Sequence, residues 1–498
     1  MAIGQITKLA KHVTKLIAMA DVVNGAFFLN YRRSVLASAI DTAGKMLDGQ
    51  FVNLWEHAGL VTDKPSSDYK TWDWAPALQA AFDTGLPVVV VNGDFTWKTP
   101  VTYTNKNALF GYGVGNTVLK YRGPANTFGL VHAFTGDGSD QWPGRMRMAD
   151  FTIQGDGTGN LGVGATVSGI RCSDDNVALV NIPFYNLTRV QFDKLQYGSQ
   201  LEGYGHLFTD CWAEKCFRGY DFSHPEQAAL MNCWANYCDI GVDINDHKLK
   251  AGHVMKIIGG SYQRCRIGIR AKNFYELHVD TYFELNTECD FQGGDIADPT
   301  NYTKGLKNLY IKCHSASNPG TANIDLYACN GTFINYDGYG GYNLTVPHVQ
   351  ANGYCKQTVV EYNPEGITSA VPFVFNGNSI GSAIARVRGG PERNKLPTMG
   401  TGYTSVASDP LSFHLVDIRT IRVSGSFSVT TGYTGNIFTL PTGYRIKSQT
   451  NFVCPMFAGS WSTTTLQVAT NGAVTWNTPG DNRTVSLDIT FERDDGFS

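Results

Sequence analysis

Two adjacent stretches of this chain repeat each other at a fixed distance. Cys211 and Cys233, Trp212 and Trp234, Cys216 and Cys238, and Gly219 and Gly241 are each 22 residues apart. Self-similarity at a period of about 20–50 residues marks an architecture of stacked units, because one unit cannot bury its apolar face alone and a stack can. Ser261–Ile269 takes up the theme, with Gly268 placed 27 residues after Gly241. Leu277–Glu284 continues it, and short strand-like segments flank it at Met148–Ile153, Val190–Leu195 and Leu309–Cys313. The spacing predicts a parallel β-helix from about Met148 to about Tyr336, with turns of three short strands. Trp212, Trp234, Tyr262 and Phe283 are assigned to matched positions, as a structural aromatic ladder or, alternatively, as sugar-stacking rings.

Bulk properties agree with a solenoid. The chain has 498 residues, and single cores stop growing at about 250–300. Glycine is abundant and Tyr and Phe are plentiful, which suits strands and turns. The net charge of −3 gives no basic field of the kind that nucleic acid demands. No run of about 18 apolar residues is present, so no membrane insertion is expected. Lys8, Lys11 and Lys15 interrupt the apolar residues at the start, so no secretory signal is expected either. The 11 cysteines have no zinc-type spacing. They read as small buried hydrophobes of a protein folded in a reducing cytoplasm, and no metal or cofactor is expected.

The ends differ from the middle. Residues 1–62 read as a helical head, since Ile6, Leu9, Val13, Leu16, Ala20 and Val23 follow three- and four-residue steps and helical spacing resumes from Leu36 to Leu60. Residues 63–345 open with a short helix around Trp74–Phe82 and then enter the repeats. Residues 346–400 read as a connecting segment, with a linker at Gly389–Asn394. From 401 to 498 the strands alternate cleanly: Val485, Leu487, Ile489 and Phe491 point one way. Asn471-Gly472 suits a hairpin turn, and this part reads as a β-sandwich.

The segment after Asp73 resembles the opening of pectate-lyase-like β-helix proteins. The residues that carry the likeness are Asp73, Ala77–Ala81, the valine run Val88–Val91, Gly93–Phe95, and Leu109 to Tyr121. Thr71-Trp72-Asp73-Trp74 departs from that family's acidic approach to its capping helix. A helical head, a β-helix trunk and a terminal sandwich together resemble bacteriophage tailspikes. That resemblance implies an all-β chain with a right-handed parallel β-helix, a homotrimer, and a head that joins the phage tail or baseplate. It implies a place in the virion tail and a trunk that binds and cleaves a bacterial surface polysaccharide, capsule or O-antigen. The chemistry has to be argued from the residues, because fold does not fix it.

Glycosidic hydrolysis needs two carboxyl groups flanking the bond. The richest stretch runs from Glu276 to Asp290. If Val279, Thr281 and Phe283 face inward, strand alternation turns His278, Asp280, Tyr282 and Glu284 outward. The tailspike resemblance also places a glutamate after Tyr-Phe in the groove. Glu284 is therefore the expected general acid, and Asp280, or a carboxylate across a trimer interface, the base or nucleophile. Glu214, three turns earlier, is a weaker candidate. Tyr282, His278, Arg264, Lys256 and Gln263 are the expected substrate-binding residues. Elimination on a uronic-acid polymer is the rival chemistry, with Lys256, Arg264, His278 and Tyr282 supplying base and cation. A non-catalytic receptor-binding fibre is the rival class.

Overall fold

The computed structural model describes residues 51–492, except 105, 134–144, 173–183, 246–251, 300–304, 339–342, 354, 364–367, 370–372, 376–382, 388–393, 396–398, 416–419, 431, 441–444, 458–459 and 477–482. The expected helices of residues 1–50 and most of the expected linker lie outside the described residues.

The repeats stack as parallel strands. Each turn contributes to three ladders, and the first is an unbroken inner column of aliphatic and aromatic side chains. Leu187, Phe208, Leu230, Ile257, Val279 and Ile311 are partners in successive turns, and all are fully buried. The second ladder stacks Phe192, Ala213, Ala235, Tyr262, Phe283 and Ser315 inward. The third stacks Ser199, Tyr220, Val242, Ile269, Phe291 and Ile324. Left-handed residues make the corner between the second and third ladders: Lys194, Lys215, Tyr237, Arg264 and Leu285 have φ between 51° and 57°. One such residue swings the chain through a sharp bend without a loop.

This register corrects the expected aromatic ladder. Trp212 and Trp234 pair with each other and then with Ser261 and Tyr282, facing outward, whereas Tyr262 and Phe283 pair with Ala213 and Ala235, facing inward. Matching the tryptophans to Tyr262 and Phe283 slips the register by one residue, and one residue exchanges the two faces of a strand. The 22-residue echo holds between the first two turns; the third is longer and displaces the match.

Parallel pairing extends beyond Met148–Tyr336 on both sides, from Val52 opposite Val88 to Tyr362 opposite Val387. Val349–Asn352, Lys356–Asn363, Phe373–Phe375 and Ala383–Val387 add rungs within the stretch read as a connecting segment. Val349, Ala351 and Val360 fill the inner positions there. Such residues pack as well as the Cys-Trp-Ala pattern but leave no echo to detect.

At the start, the helix Ala75–Asp83 buries Ala77, Leu78, Ala81 and Phe82, spaced to fall on one face. Pro76 sits in its first turn, where its missing N–H is harmless. The departure from the resembled family at Asp73 has a local use: its carboxylate accepts from the Ala75 and Lys98 backbone N–H groups at 3.1 and 3.0 Å. Leu54–Leu60 is a 3₁₀ helix, where helical spacing predicted a longer α-helix, and Leu54 and Val61 join the solenoid's hydrophobic cluster.

All eleven cysteines are free and buried. Residues 394–492 form a nine-stranded antiparallel sheet with its own apolar cluster around Phe427 and Trp476. Val485, Leu487, Ile489 and Phe491 are buried there, with more exposed residues alternating. Asn471-Gly472 links two antiparallel strands, with Gly472 at φ +88°.

Candidate functional site

A cleft of about 550 Å³ opens on the outside of the solenoid, where the first ladder bends into the second. The strand Phe274–Glu284 crosses it. Val279, Thr281 and Phe283 are buried along this strand, so His278, Asp280, Tyr282 and Glu284 project outward as alternation requires. Asp280 and Tyr282 line the cleft, on either side of the bend. The strand Leu306–Ala316 repeats the arrangement one turn later: Lys312 partners Asp280 and His314 partners Tyr282. A further turn on, Asp337 partners His314.

The cleft exists because the bend is irregular. In the previous turn Gly259 and Gly260 stand opposite the single residue Thr281, between the pairs Ile258–Asp280 and Ser261–Tyr282. This is a bulge of two residues against one. Both glycines are left-handed, at φ +68° and +72°. The Thr281 hydroxyl donates to the Gly259 carbonyl at 3.0 Å and so pins the bulge. The widened corner separates the Asp280 row from the Tyr282 row.

Lys312 Nζ lies 3.2 Å from Asp280 Oδ2, both about half exposed. A pair that wet contributes at most about 1 kcal/mol to folding; its effect is on the orientation of Asp280. Tyr282 and His314 stack with ring centroids 5.5 Å apart and planes 22° from parallel. Asp337 makes no ion pair among the described residues. Cys313 also borders the cleft, but burial pushes its thiol well above the ordinary value, and Asp290, Asp337 and Asp280 add to this. A thiol so placed is no nucleophile at neutral pH.

The candidates named from sequence divide as follows. Asp280 and Tyr282 line the cleft. Glu284 lies two residues past Tyr282, half-buried, with Gln263 and Ala316 as its neighbours in register. It stands beside the cleft and is not part of its wall. Glu214 belongs to the same outward row, three strands before Glu284, and pairs with Lys215 at 3.2 Å. Lys256 and His278 are neighbours in register on the first ladder's outer face. Arg264 is a corner residue whose guanidinium sits 5.5 Å from the Tyr237 ring centre.

His278 leads an outer aromatic row. It meets Tyr310 edge-on at 4.3 Å, and Tyr310 stacks on Phe333 at 5.4 Å with planes 8° apart. The facing sides of Tyr310 and Phe333 cover each other and are closed to a sugar. Trp234 is different. It lies in the outward row that leads to Tyr282, and it is 42% exposed.

Sequence reasoning did not single out Lys312, His314 or Asp337. The signal was alternation: Lys312, His314 and Asp337 flank the buried Cys313, Ser315 and Tyr336 as Asp280 and Tyr282 flank Thr281. The turn from Asp280 to Lys312 spans 32 residues, so the 22-residue echo does not bring the two into register.

No family model matches this chain. Among solved structures it is similar to the gp42 tailspike of Acinetobacter phage vb_AbaP_AS12, at 10% identity over 88% of this chain and 82% of that one, with a TM-score of 0.46. It is similar to the enzymatically active domain of bacteriophage CBA120 tailspike protein 2, at 11% identity over 90% and 71%, with a TM-score of 0.35. It is also similar to the A-module of the Azotobacter vinelandii mannuronan C-5 epimerase AlgE6, at 14% identity over 67% and 93%, with a TM-score of 0.41.

Proposed function

We propose that this chain is a phage tailspike that binds a bacterial surface polysaccharide and hydrolyses its glycosidic bonds in the cleft at Asp280. The observation that carries the reading is that Asp280 and Asp337 border one open cleft on the solenoid face, with Lys312, Tyr282 and His314 between them. Asp337 lies two strands beyond the Asp280 turn. Asp337 is in register with Tyr282, two residues along from Asp280, so two strand spacings of about 4.8 Å and two residues of about 3.3 Å put the backbones roughly 12 Å apart, and the roughly 6.5–9.5 Å of an inverting pair requires both side chains to extend toward each other.

In this reading Asp337 is the general acid and gives its proton to the glycosidic oxygen as the C–O bond breaks. Asp280, oriented by Lys312, takes a proton from the water that attacks the anomeric carbon from the opposite face. The sugar leaves with inverted configuration. Tyr282 and His314 position the ring at the break, and Trp234 offers an open face further along the same row. Glu284 and Gln263 form the rim beside it. The N-terminal segment joins the virion tail, the chains form a homotrimer, and the C-terminal antiparallel part, read as a sandwich, assists trimerisation or glycan binding.

The test is direct. Purified chain is incubated with capsule or O-antigen from candidate hosts, new reducing ends are measured, and the first anomer released is identified by NMR. Asp280→Asn and Asp337→Asn are each expected to lose at least about 100-fold in rate, the usual worth of a positioned acid or base. Full activity in either variant overturns the assignment. Unsaturated uronate products would instead identify a lyase. Binding to host glycan without fragmentation would identify a non-catalytic fibre. Sedimentation of the intact chain reads the trimer.

A further inference from the structure

Three successive strands, Gly252–Gln263, Phe274–Glu284 and Leu306–Ala316, cross the first ladder and turn lysines outward. Lys256 is in register with His278, and Lys307 with Tyr275. Lys312 belongs to the cleft and is matched by Asp280. The other two are not matched in this way. Lys256 is exposed and Lys307 half-buried, and neither has a carboxylate partner among the described residues.

Lys307 is nevertheless held in place. Its Nζ donates to the Tyr275 hydroxyl. The Tyr275 ring meets His253 edge-on, with centroids 5.0 Å apart and planes 88° from parallel, and His253 Nδ1 lies 3.8 Å from Glu226 Oε1. The ammonium is thus positioned by a neutral phenol. Its charge is not cancelled, and two of its three N–H donors are left for a ligand.

The two faces that meet at the cleft differ in charge. Asp193, Glu214 and Glu284 stand in one outward row of the second ladder, with Lys215 drawn to Glu214 at 3.2 Å. On the first ladder the three strands carry Lys256, Lys307 and Lys312 against Asp280 and Glu276, the latter exposed at a left-handed corner. This face is positive on a chain whose net charge is −3. An anion near the cleft is repelled by the second-ladder row and drawn toward the first.

We infer that the glycan is acidic and lies across the first ladder, with one carboxylate on Lys307 beside the Tyr275 hydroxyl and a second on Lys256 beside His278. The choice of a glycan rests on the polysaccharide-binding reading above. Lys256 and Lys307 are two strands and three residues apart, at most about 14 Å between backbones, so two sugars supply the two carboxylates. The neutral part of the chain between them then runs toward the cleft at Asp280.

The experiment is calorimetric titration of the intact chain with trigalacturonate, a hyaluronan tetrasaccharide and a sialic acid trimer, which carry the carboxylate on different sugars. At least one is expected to bind, and its carboxyl-reduced form is expected to bind at least about tenfold more weakly. Affinity should fall as salt is raised. Lys307→Met and Lys256→Met should each lose about tenfold, the worth of one hydrogen bond to a charged group. Lys307→Arg should recover most of the loss, and Lys215→Met, on the acidic row, should bind as the parent does. Binding by none of the probes overturns the inference, as does equal binding of the reduced form or parent-like affinity in either methionine variant. Binding heat is read apart from new reducing ends, so failure of the cleavage reading leaves the result standing, and failure here leaves cleavage of a neutral glycan intact.

Discussion

Gly260 packs against the backbone of Cys233, in the turn before it, so closely that a Cβ on Gly260 would stand 1.9 Å from the Cys233 carbonyl oxygen. Its neighbour Gly259 has a similar left-handed φ, but its nearest atom would be 3.6 Å away. Both glycines build the bulge that opens the cleft, yet they are not equivalent. Gly259→Ala carries the left-handed penalty alone, about 1–2 kcal/mol. Gly260→Ala adds a backbone clash that no side-chain rotation relieves and should cost about 3–5 kcal/mol. Thermal unfolding of the two variants compares them. Equal melting temperatures would refute the packing described for Gly260.

The cleft assigns different weights to two acidic residues on one strand. Asp280 lines it, and Glu284 stands beside it. Glu284→Gln should keep activity within roughly tenfold of the parent, a loss of no more than about 1.4 kcal/mol in transition-state binding. Asp280→Asn should lose far more. Lys312→Met should fall between them, because it removes the charge that orients Asp280 without removing the carboxylate. Initial rates of reducing-end release on one polysaccharide rank the three. A Glu284→Gln chain as dead as Asp280→Asn would restore the glutamate as the acid.

The sequence carried the solenoid because Cys, Trp, Ala and Gly recurred at one spacing. It also carried the outward face of Phe274–Glu284, since Val279, Thr281 and Phe283 alternate with polar residues. It did not carry the register between distant turns. The turn from Trp234 to Ser261 is lengthened by five residues that enter between Asn245 and His253, and the turn from Asp280 to Lys312 is longer still. Each insertion leaves the local alternation intact while shifting which residues meet. Asp280 was therefore legible from its own strand, whereas Lys312, His314 and Asp337 became its neighbours only once the pairing was known. The rungs after Tyr336 were missed for another reason: aliphatic inner positions repeat the physics without repeating the letters.

Asp325 gives the fold a pH dependence. It is 2% exposed, and burial pushes its carboxyl from an ordinary 3.8 up to about 6. Tyr327 donates to one oxygen at 2.7 Å and Asn352 to the other at 2.9 Å, which restrains the rise. Between about pH 4 and pH 6 the folded chain therefore binds more protons here than the unfolded chain. The stability this group contributes is full below about pH 4 and is lost as pH rises through about 6, by up to ~3 kcal/mol for a shift of two units. Asp221, also pushed to about 6 by burial and by Asp243, titrates in the same window. The informative quantity is thus a difference: Asp325→Asn should flatten the fall in denaturation midpoint between pH 4 and pH 7 relative to the parent. An unchanged slope would mean that Asp325 titrates normally.

Asp290 places a carboxyl inside the solenoid, fully buried, and burial raises its pKa against the donors that surround it. Ser315 Oγ donates to it at 2.6 Å, Asn286 Nδ2 at 2.8 Å and Asn323 Nδ2 at 3.0 Å. Asn286 also donates to the Tyr262 carbonyl, and Asn323 to that of Ser317, so the network ties three successive turns together. Asp290→Ala removes the common acceptor and leaves three buried donors facing a void. The cost should be about 3–5 kcal/mol, the range for breaking a buried polar pair. Asp290→Asn keeps one acceptor oxygen but turns an amide N–H₂ toward other donors, so it should cost less than Ala and more than nothing. Denaturant midpoints of the two variants read the order. If Asp290→Ala were as stable as the parent, the network would be a passive filling of the core and not the element that locks these turns in register.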